Sequence, residues 1–368
     1  MLMSAWTLRV TVFPDESLSS WLARAALSQG CDPLVLTGAI WPNWRIWTQD
    51  VDRGIERDRL HNLVAASGVS LEEFEAAALR TEAERIAGVS LSATMTWPWI
   101  LALGKRNRAH RGGQQYCPAC LAEDEKPYFR RHWRFAWHTT CAVHGIRLMD
   151  RCPSCGSPIE PHRLVAEDRH LAWCARCKSD LRMMAGATAS SRDGAVAFQR
   201  TADEIVSGTH SAAFGKKTLS ISDWFGLSQF LYGLIRQASR RESSALAELL
   251  SGLGITAGSC LLPASGLAFE YLPVMERQSL LDATYQLLSL GPDRMKTAFQ
   301  DAGLTEAGLL LERRTYPDVI MDMTAALPSG KRASRQAGRS GGPTRARSRR
   351  EVWAAWTRLQ RKMFTETT

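Results

Sequence analysis

The chain has 368 residues, 45% of them hydrophobic and 23% charged, which is enough for two or three packed domains with an ordinary globular charge content. No charged segment followed by an apolar one opens it, and apolar runs such as 97–103 fall far short of the ~20 residues a membrane span needs, so a soluble, cytoplasmic protein without a membrane partner is expected. The formal charge of +9 is a property of the chain end: residues 331–368 hold eleven Lys or Arg and two Glu, leaving 35 basic and 35 acidic side chains in the first 330 residues.

From the N-terminus, FPDESLSSWLARAALSQG places Leu18, Trp21, Leu22, Ala25 and Ala26 at helical spacing, with Pro-Asp before and Gly30 after. A short amphipathic helix with a stop is predicted. A second helical run starts near Asp32-Pro33 and fades at WPNWRIW, 41–47, whose aromatic bulk is too great for a simple surface loop. IERDRLHNLVAASGVSLEEFEAAAL then reads as helix, turn, helix. Leu60, Leu63 and Val64 share a face, Gly68 ends the first helix, and Ser70 with Glu73 forms a capping box. The pattern has helix-turn-helix character, but Glu72, Glu73 and Glu75 on the second helix would repel phosphate. Whether the pair reads DNA or docks protein stays open.

Seven of the nine cysteines lie between Cys117 and Cys177, mostly as C-x-x-C pairs, which favours metal over disulfides. Zinc in a structural site takes four soft or borderline ligands, and a C-x-x-C or C-x-x-H knuckle supplies two. Four knuckles are present: Cys117/Cys120, Cys141/His144, Cys152/Cys155 and Cys174/Cys177. Twenty residues separate the first two and eighteen the last two, but only seven lie between His144 and Cys152. Sequential sites are therefore expected, two zinc ions per chain, the first on Cys117, Cys120, Cys141 and His144 and the second on Cys152, Cys155, Cys174 and Cys177. A cross-braced sharing remains open on spacing alone. Loss of metal is expected to unfold 117–180, which has few aliphatic residues.

Closed four-ligand shells leave no position for a catalytic water, and an H-x-E upstream of P-C-x-x-C is missing, so neither zinc hydrolysis nor deamination is indicated. FGKKT, 214–218, lacks both the first Gly and the Ser/Thr of a phosphate-binding loop. No catalytic residue is assigned and the chain is read as a non-enzyme.

Between Lys105 and Arg151, ten Lys or Arg face four acids, and Arg130, Arg131 and Arg134 alternate with Phe129, Trp133 and Phe135. These three arginines are candidate DNA contacts; alternatively they only solubilise the zinc module. Beyond it, ISDWFGLSQFLYGLIRQ and later stretches read as packed helices, with Pro292 and Pro317 where helices begin. Residues 331–350 are expected to be a disordered Arg-rich linker, with Arg345, Arg347, Arg349 and Arg350 as DNA contacts. From 351 to 368 a short basic helix follows, whose Trp353, Trp356 and Leu359 are candidate partner contacts.

PDESLSSWLARAA, YCPACLAED, YFRRHWRFAWHTTCAVHGIRLMDRCPSCGSPI and ISDWFGLSQFLYGLIR together closely resemble the TniQ family. The resemblance is most specific over 8–180 and looser over 215–327. It implies a mainly α fold with small β zinc ribbons: a helix-turn-helix-like region over 1–112, a tandem zinc module over 113–185 and a helical region over 186–330. It further implies a non-enzymatic accessory factor of DNA transposition that helps select or license a target site. The implied partners are DNA, an AAA+ ATPase regulator, and a transposase or RNA-guided targeting complex; a homodimer is compatible with it. The competing reading is a stand-alone zinc-ribbon, helix-turn-helix transcription regulator.

Overall fold

The computed structural model describes residues 5–93, 95–103, 113–183, 192–240, 244–255, 267–310 and 315–330, together with Arg349, Val352, Trp353, Trp356 and Thr357. Among these the chain forms twelve α-helices and a two-stranded sheet, so it is mainly helical. It divides into two units, Met1–Ser191 with Ala268–Val274, and Arg192–Leu267 with Met275–Thr368. The expected segments 1–112 and 113–185 thus share one unit.

That first unit is organised on α1 (Leu18–Ser28), capped by Ser17, whose hydroxyl accepts the Ser20 amide at 3.3 Å. Its sequence suggests one apolar face, yet every residue from Leu18 to Leu27 is buried. Two cores close on the helix from different sides. Leu18, Trp21, Leu22, Ala25 and Ala26 pack with Leu60, Leu63 and Phe74, whereas Ala23 and Leu27 pack with Leu121, Phe129, Trp133 and Leu148. Small residues in LSSWLARAAL let both approach, and burying one Leu side chain contributes about 1.5–3 kcal/mol.

After α1 come α2 (Pro33–Ile40), which begins at Asp32-Pro33, and short 3-10 turns at Ile46–Thr48 and Val51–Arg53. The helical pair is α3 (Arg57–Ser67) and α4 (Leu71–Ala77), joined through Gly68 at φ +70°. The capping box is reciprocal: the Glu73 amide donates to Ser70 Oγ at 3.2 Å, and the Ser70 amide to Glu73 Oε2 at 3.0 Å. Helix α5 (Arg80–Ala87) follows, and α6 (Pro118–Glu123) opens the cysteine-rich part. Among the described residues the ribbons expected there are reduced to isolated bridges, Tyr116–Met149, Thr140–Arg147 and Trp173–Asp180.

The second unit contains α7 (Asp193–Ser207), the hairpin of β1 (Ala213–Phe214) and β2 (Lys217–Thr218), then α8 (Ile221–Ala238) and α9 (Ala245–Gly252). Most of α10 (Val274–Asp301) belongs to it, as do α11 (Glu306–Leu309) and α12 (Asp318–Thr324). Helix α10 is interrupted at Gly291 (φ +76°, ψ 169°), so a fresh helical stretch starts at Pro292, and Pro317 caps α12. FGKKT forms the hairpin tip: a Cβ on Gly215 would stand 2.7 Å from Pro292 Cδ. That glycine serves close packing. Phe198 and Phe230 of α7 and α8 pack on Trp224 and Tyr316.

In the first unit, Arg134 corrects an expectation. Offered by the sequence as a DNA contact, it has no exposed surface. Its Nη2 donates to Asp50 Oδ2 and to the Leu101 carbonyl, both at 2.8 Å, and its Nη1 to Asp52 Oδ2. Asp52, also fully buried, accepts the Ser19 amide at 2.6 Å and its hydroxyl at 2.9 Å. Burial raises the Asp52 carboxyl, which the facing guanidinium opposes, while Arg134 itself is held above its ordinary value by the two carboxylates that outweigh its own desolvation. A guanidinium so enclosed cannot reach a phosphate. Arg134→Ala, which leaves buried Asp52 without its facing cation while Asp50 keeps Arg53 at 3.3 Å, should lower stability by about 3–5 kcal/mol in urea unfolding followed by tryptophan fluorescence. Arg134→Lys should recover only part of this, because an ammonium cannot span both acids as the planar fork does.

Candidate metal centres

Among the described residues, two groups could hold a metal ion: Cys117, Cys120, Cys141 and His144, and Cys152, Cys155, Cys174 and Cys177. Within each, all four ligand atoms lie within 4.8 Å of one another. The grouping is sequential along the chain.

Three of the four knuckles share one backbone design. The amides of Cys141, Cys152 and Cys174 donate to the carbonyls of Ile146, Ser157 and Ser179 at 2.8–2.9 Å, while the amides of Gly145, Gly156 and Lys178 donate back at 2.9 Å. Each of those last three residues has positive φ, +65°, +67° and +59°, so Lys178 adopts a conformation that favours glycine. The remaining knuckle is built differently. Cys117 caps α6, Pro118 starts the helix, and the Cys120 amide points at Cys117 Sγ from 3.5 Å.

The interatomic edges test whether an ion fits. Zinc–sulfur bonds of about 2.3 Å and zinc–nitrogen bonds of about 2.0–2.1 Å give a tetrahedron with edges of about 3.8 Å between sulfurs and about 3.5 Å from sulfur to nitrogen. In the first group Cys120 and Cys141 Sγ are 3.6 Å apart, and His144 Nδ1 is 3.4–3.5 Å from all three sulfurs. In the second, Cys152 to Cys177 is 3.6 Å and Cys155 to Cys174 is 3.7 Å. These separations are far beyond the ~2.05 Å of a disulfide. Both donor sets fit a tetrahedral zinc ion.

Outside the ligands, Glu123 Oε1 stands 2.9 Å from His144 Nε2, which fixes the ring so that Nδ1 faces the thiols. In the second group the side chain of Ser179, its Oγ 3.2 Å from Cys177 Sγ, draws that thiol down to about 6, and Ser157 lowers Cys155 likewise. Sequence reasoning missed these supports. Their signals were present: an acid three residues after Cys120 on the same helix, and a Ser two residues after Cys155 and after Cys177.

The groups differ in setting. Cys117, Cys120 and Cys141 are buried, whereas Cys155 and Cys177 are exposed. Cysteines of both groups, Cys117, Cys120, Cys141, Cys152 and Cys174, belong to the core that includes Ala23 and Leu27 of α1, so the aliphatic support comes partly from outside the segment 117–180.

The basic stretch between the first and second knuckles is occupied by internal pairs. Arg130 holds Asp124 through two bonds of 2.7 Å and lies over Tyr128 and Trp133. Arg131 pairs with Glu82 at 2.5 Å and Asp15 at 3.5 Å. Each keeps a partly exposed side chain, but its charge is already met inside the unit. At the chain end, Arg349, Trp353 and Trp356 are helical and exposed. Arg345, Arg347, Arg350 and Leu359 lie outside the described residues.

Comparison with known proteins bears on the region that carries the first metal group. Residues 7–148 match the TniQ family model. The TniQ match runs from the segment before α1 past His144, and so takes in the core around Trp21, part of the core around Leu27 and all four candidate ligands of the first group. The second group, beginning at Cys152, lies beyond it. No curated protein matches the chain. No helix among the described residues is long and apolar enough to cross a membrane.

Two equivalents of zinc per chain are expected by elemental analysis, with Cys117→Ser and Cys152→Ser each removing one. Glu123→Gln should weaken the first site about tenfold in chelator competition and leave the second unchanged.

Proposed function

We propose that this chain is a non-enzymatic, zinc-dependent adaptor in DNA transposition that helps select or license the target site and recruits an AAA+ ATPase regulator and a transposase. The observation that carries the reading is the TniQ match over 7–148, which supports a transposition-associated accessory role. Two metal groups with complete ligand shells agree with a scaffold, since four protein ligands leave no position for a reacting water.

The charge distribution adds a division of labour. Bound zinc would leave the first group at −1 and the second at −2, on a body already balanced in sign. The DNA contribution is therefore assigned to the tail, with Arg345, Arg347, Arg349 and Arg350 on phosphates, and the partner contribution to Trp353, Trp356 and Leu359. The 65% and 54% exposure of Trp353 and Trp356 favours a surface that closes on a protein.

Insertion-site mapping of the cognate element, with and without the gene, tests the role directly: unchanged target choice and frequency would sink it. Deleting 331–368 should leave metal content intact, weaken DNA binding and flatten its salt dependence. Equal binding of DNA and of the ATPase regulator by the truncated and full chains at every salt concentration would refute the tail assignment.

A further inference from the structure

The tryptophan-rich stretch 41–47, unused by the metal centres, lines a cleft of about 540 Å³ in the first unit. Leu34 and Thr37 of α2, Trp41, Trp44, Trp47 and His162 are among the residues that line it. Two of the three indoles spend their donors internally. Trp41 Nε1 donates to the Arg59 carbonyl at 3.1 Å, and Trp47 Nε1 to Thr37 Oγ1 at 2.9 Å. Trp44 stands edge-on to Trp41, with ring centres 5.3 Å apart, and the Arg59 guanidinium lies 4.0 Å over its ring. His162 is parallel to Trp47 at 5.1 Å and 15°. Burial pushes its imidazole down to about 4, so at neutral pH it is an uncharged ring. The lining is therefore largely aromatic, with one face of Trp44 covered by Arg59 and one face of Trp47 by His162, so that a ligand would meet the opposite face of each indole.

Charge decides which flat ligand fits. No carboxylate lines the cleft, while Arg45 and Arg163 do. Arg163 is engaged by Glu160 at 3.1 Å, but Arg45 is exposed and has no ion-pair partner among the described residues. An aromatic or proline side chain of a peptide would match the walls, yet it would give no role to a free cation beside them. A planar ring carried on an anionic backbone uses both.

We propose that this cleft binds an unstacked base of a nucleic-acid strand, with Trp44 and Trp47 as stacking surfaces and Arg45 on an adjacent phosphate. The site uses no residue of the Arg-rich tail or of the metal groups. It needs no particular target sequence, because every base has a face to stack.

The test uses the full-length, metal-loaded protein with short labelled oligonucleotides in fluorescence anisotropy: single-stranded DNA, single-stranded RNA of the same sequence, and duplex DNA. Trp44→Ala and Arg45→Ala should each weaken single-strand binding about tenfold, with duplex binding, metal content and circular dichroism unchanged. Trp44→Phe should retain most of the affinity. A loss in either single-strand arm supports the site, and the tighter arm identifies the strand. Deleting 331–368 should leave the Trp44 effect in place, which separates this site from the tail assignment. Failure of the parent protein to bind single strands overturns the proposal, as does a Trp44→Ala variant with parental affinity. A variant that keeps single-strand affinity but loses the ATPase regulator also overturns it, by giving the cleft to a protein.

Discussion

A guanidinium without exposed surface must be neutralised where it sits, and Arg134 meets that requirement with two aspartates more than eighty residues away in sequence. Through Asp52 the charge passes to the amide and hydroxyl of Ser19 in the first turn of α1. The region between the metal knuckles is thereby tied to the helix on which both cores of the first unit pack. A second buried acid reinforces the same join: Glu16 accepts from Arg24 at 2.6 Å, and its backbone bridges to Arg130. Desolvating such charges costs several kcal/mol per ion, so the pairs specify one arrangement more than they add net stability.

That join gives the TniQ match a physical content. PDESLSSW and YFRRHWRF, more than a hundred residues apart, touch along their length. Ser17 donates its amide to the Phe129 carbonyl, Arg131 its amide to Asp15, and Phe129 its amide to Ser20 Oγ. The motifs that look like independent signatures in the sequence are the two halves of one contact. The span 7–148 lies within the first compact unit, Met1–Ser191 with Ala268–Val274.

Local features were legible from the sequence. The two groups of four that could hold a metal follow from knuckle chemistry, which needs only a few adjacent residues; local too are the capping box of Ser70 and Glu73 and the helix starts at Pro292 and Pro317. What periodicity could not show was the burial of α1 on all sides, because alternation reports one apolar face and small residues are silent about a second neighbour. Arg134 misled for a related reason. Its sequence neighbours are aromatic and basic, while its partners are distant acids, and composition alone cannot distinguish a paired cation from a free one. Glu123 is the converse case, an exposed acid with a specific role that only the position of His144 reveals.

The unequal burial of the two metal groups sets an order of chemical vulnerability. Two of the four cysteines in the second group, Cys155 and Cys177, are exposed, whereas the three of the first are buried. Peroxide or an electrophile would thus meet the C-terminal knuckles first, since sulfur oxidation follows thiolate character and access. With an ion in each group, oxidation would release the one in the second group first, outside the part that matches TniQ.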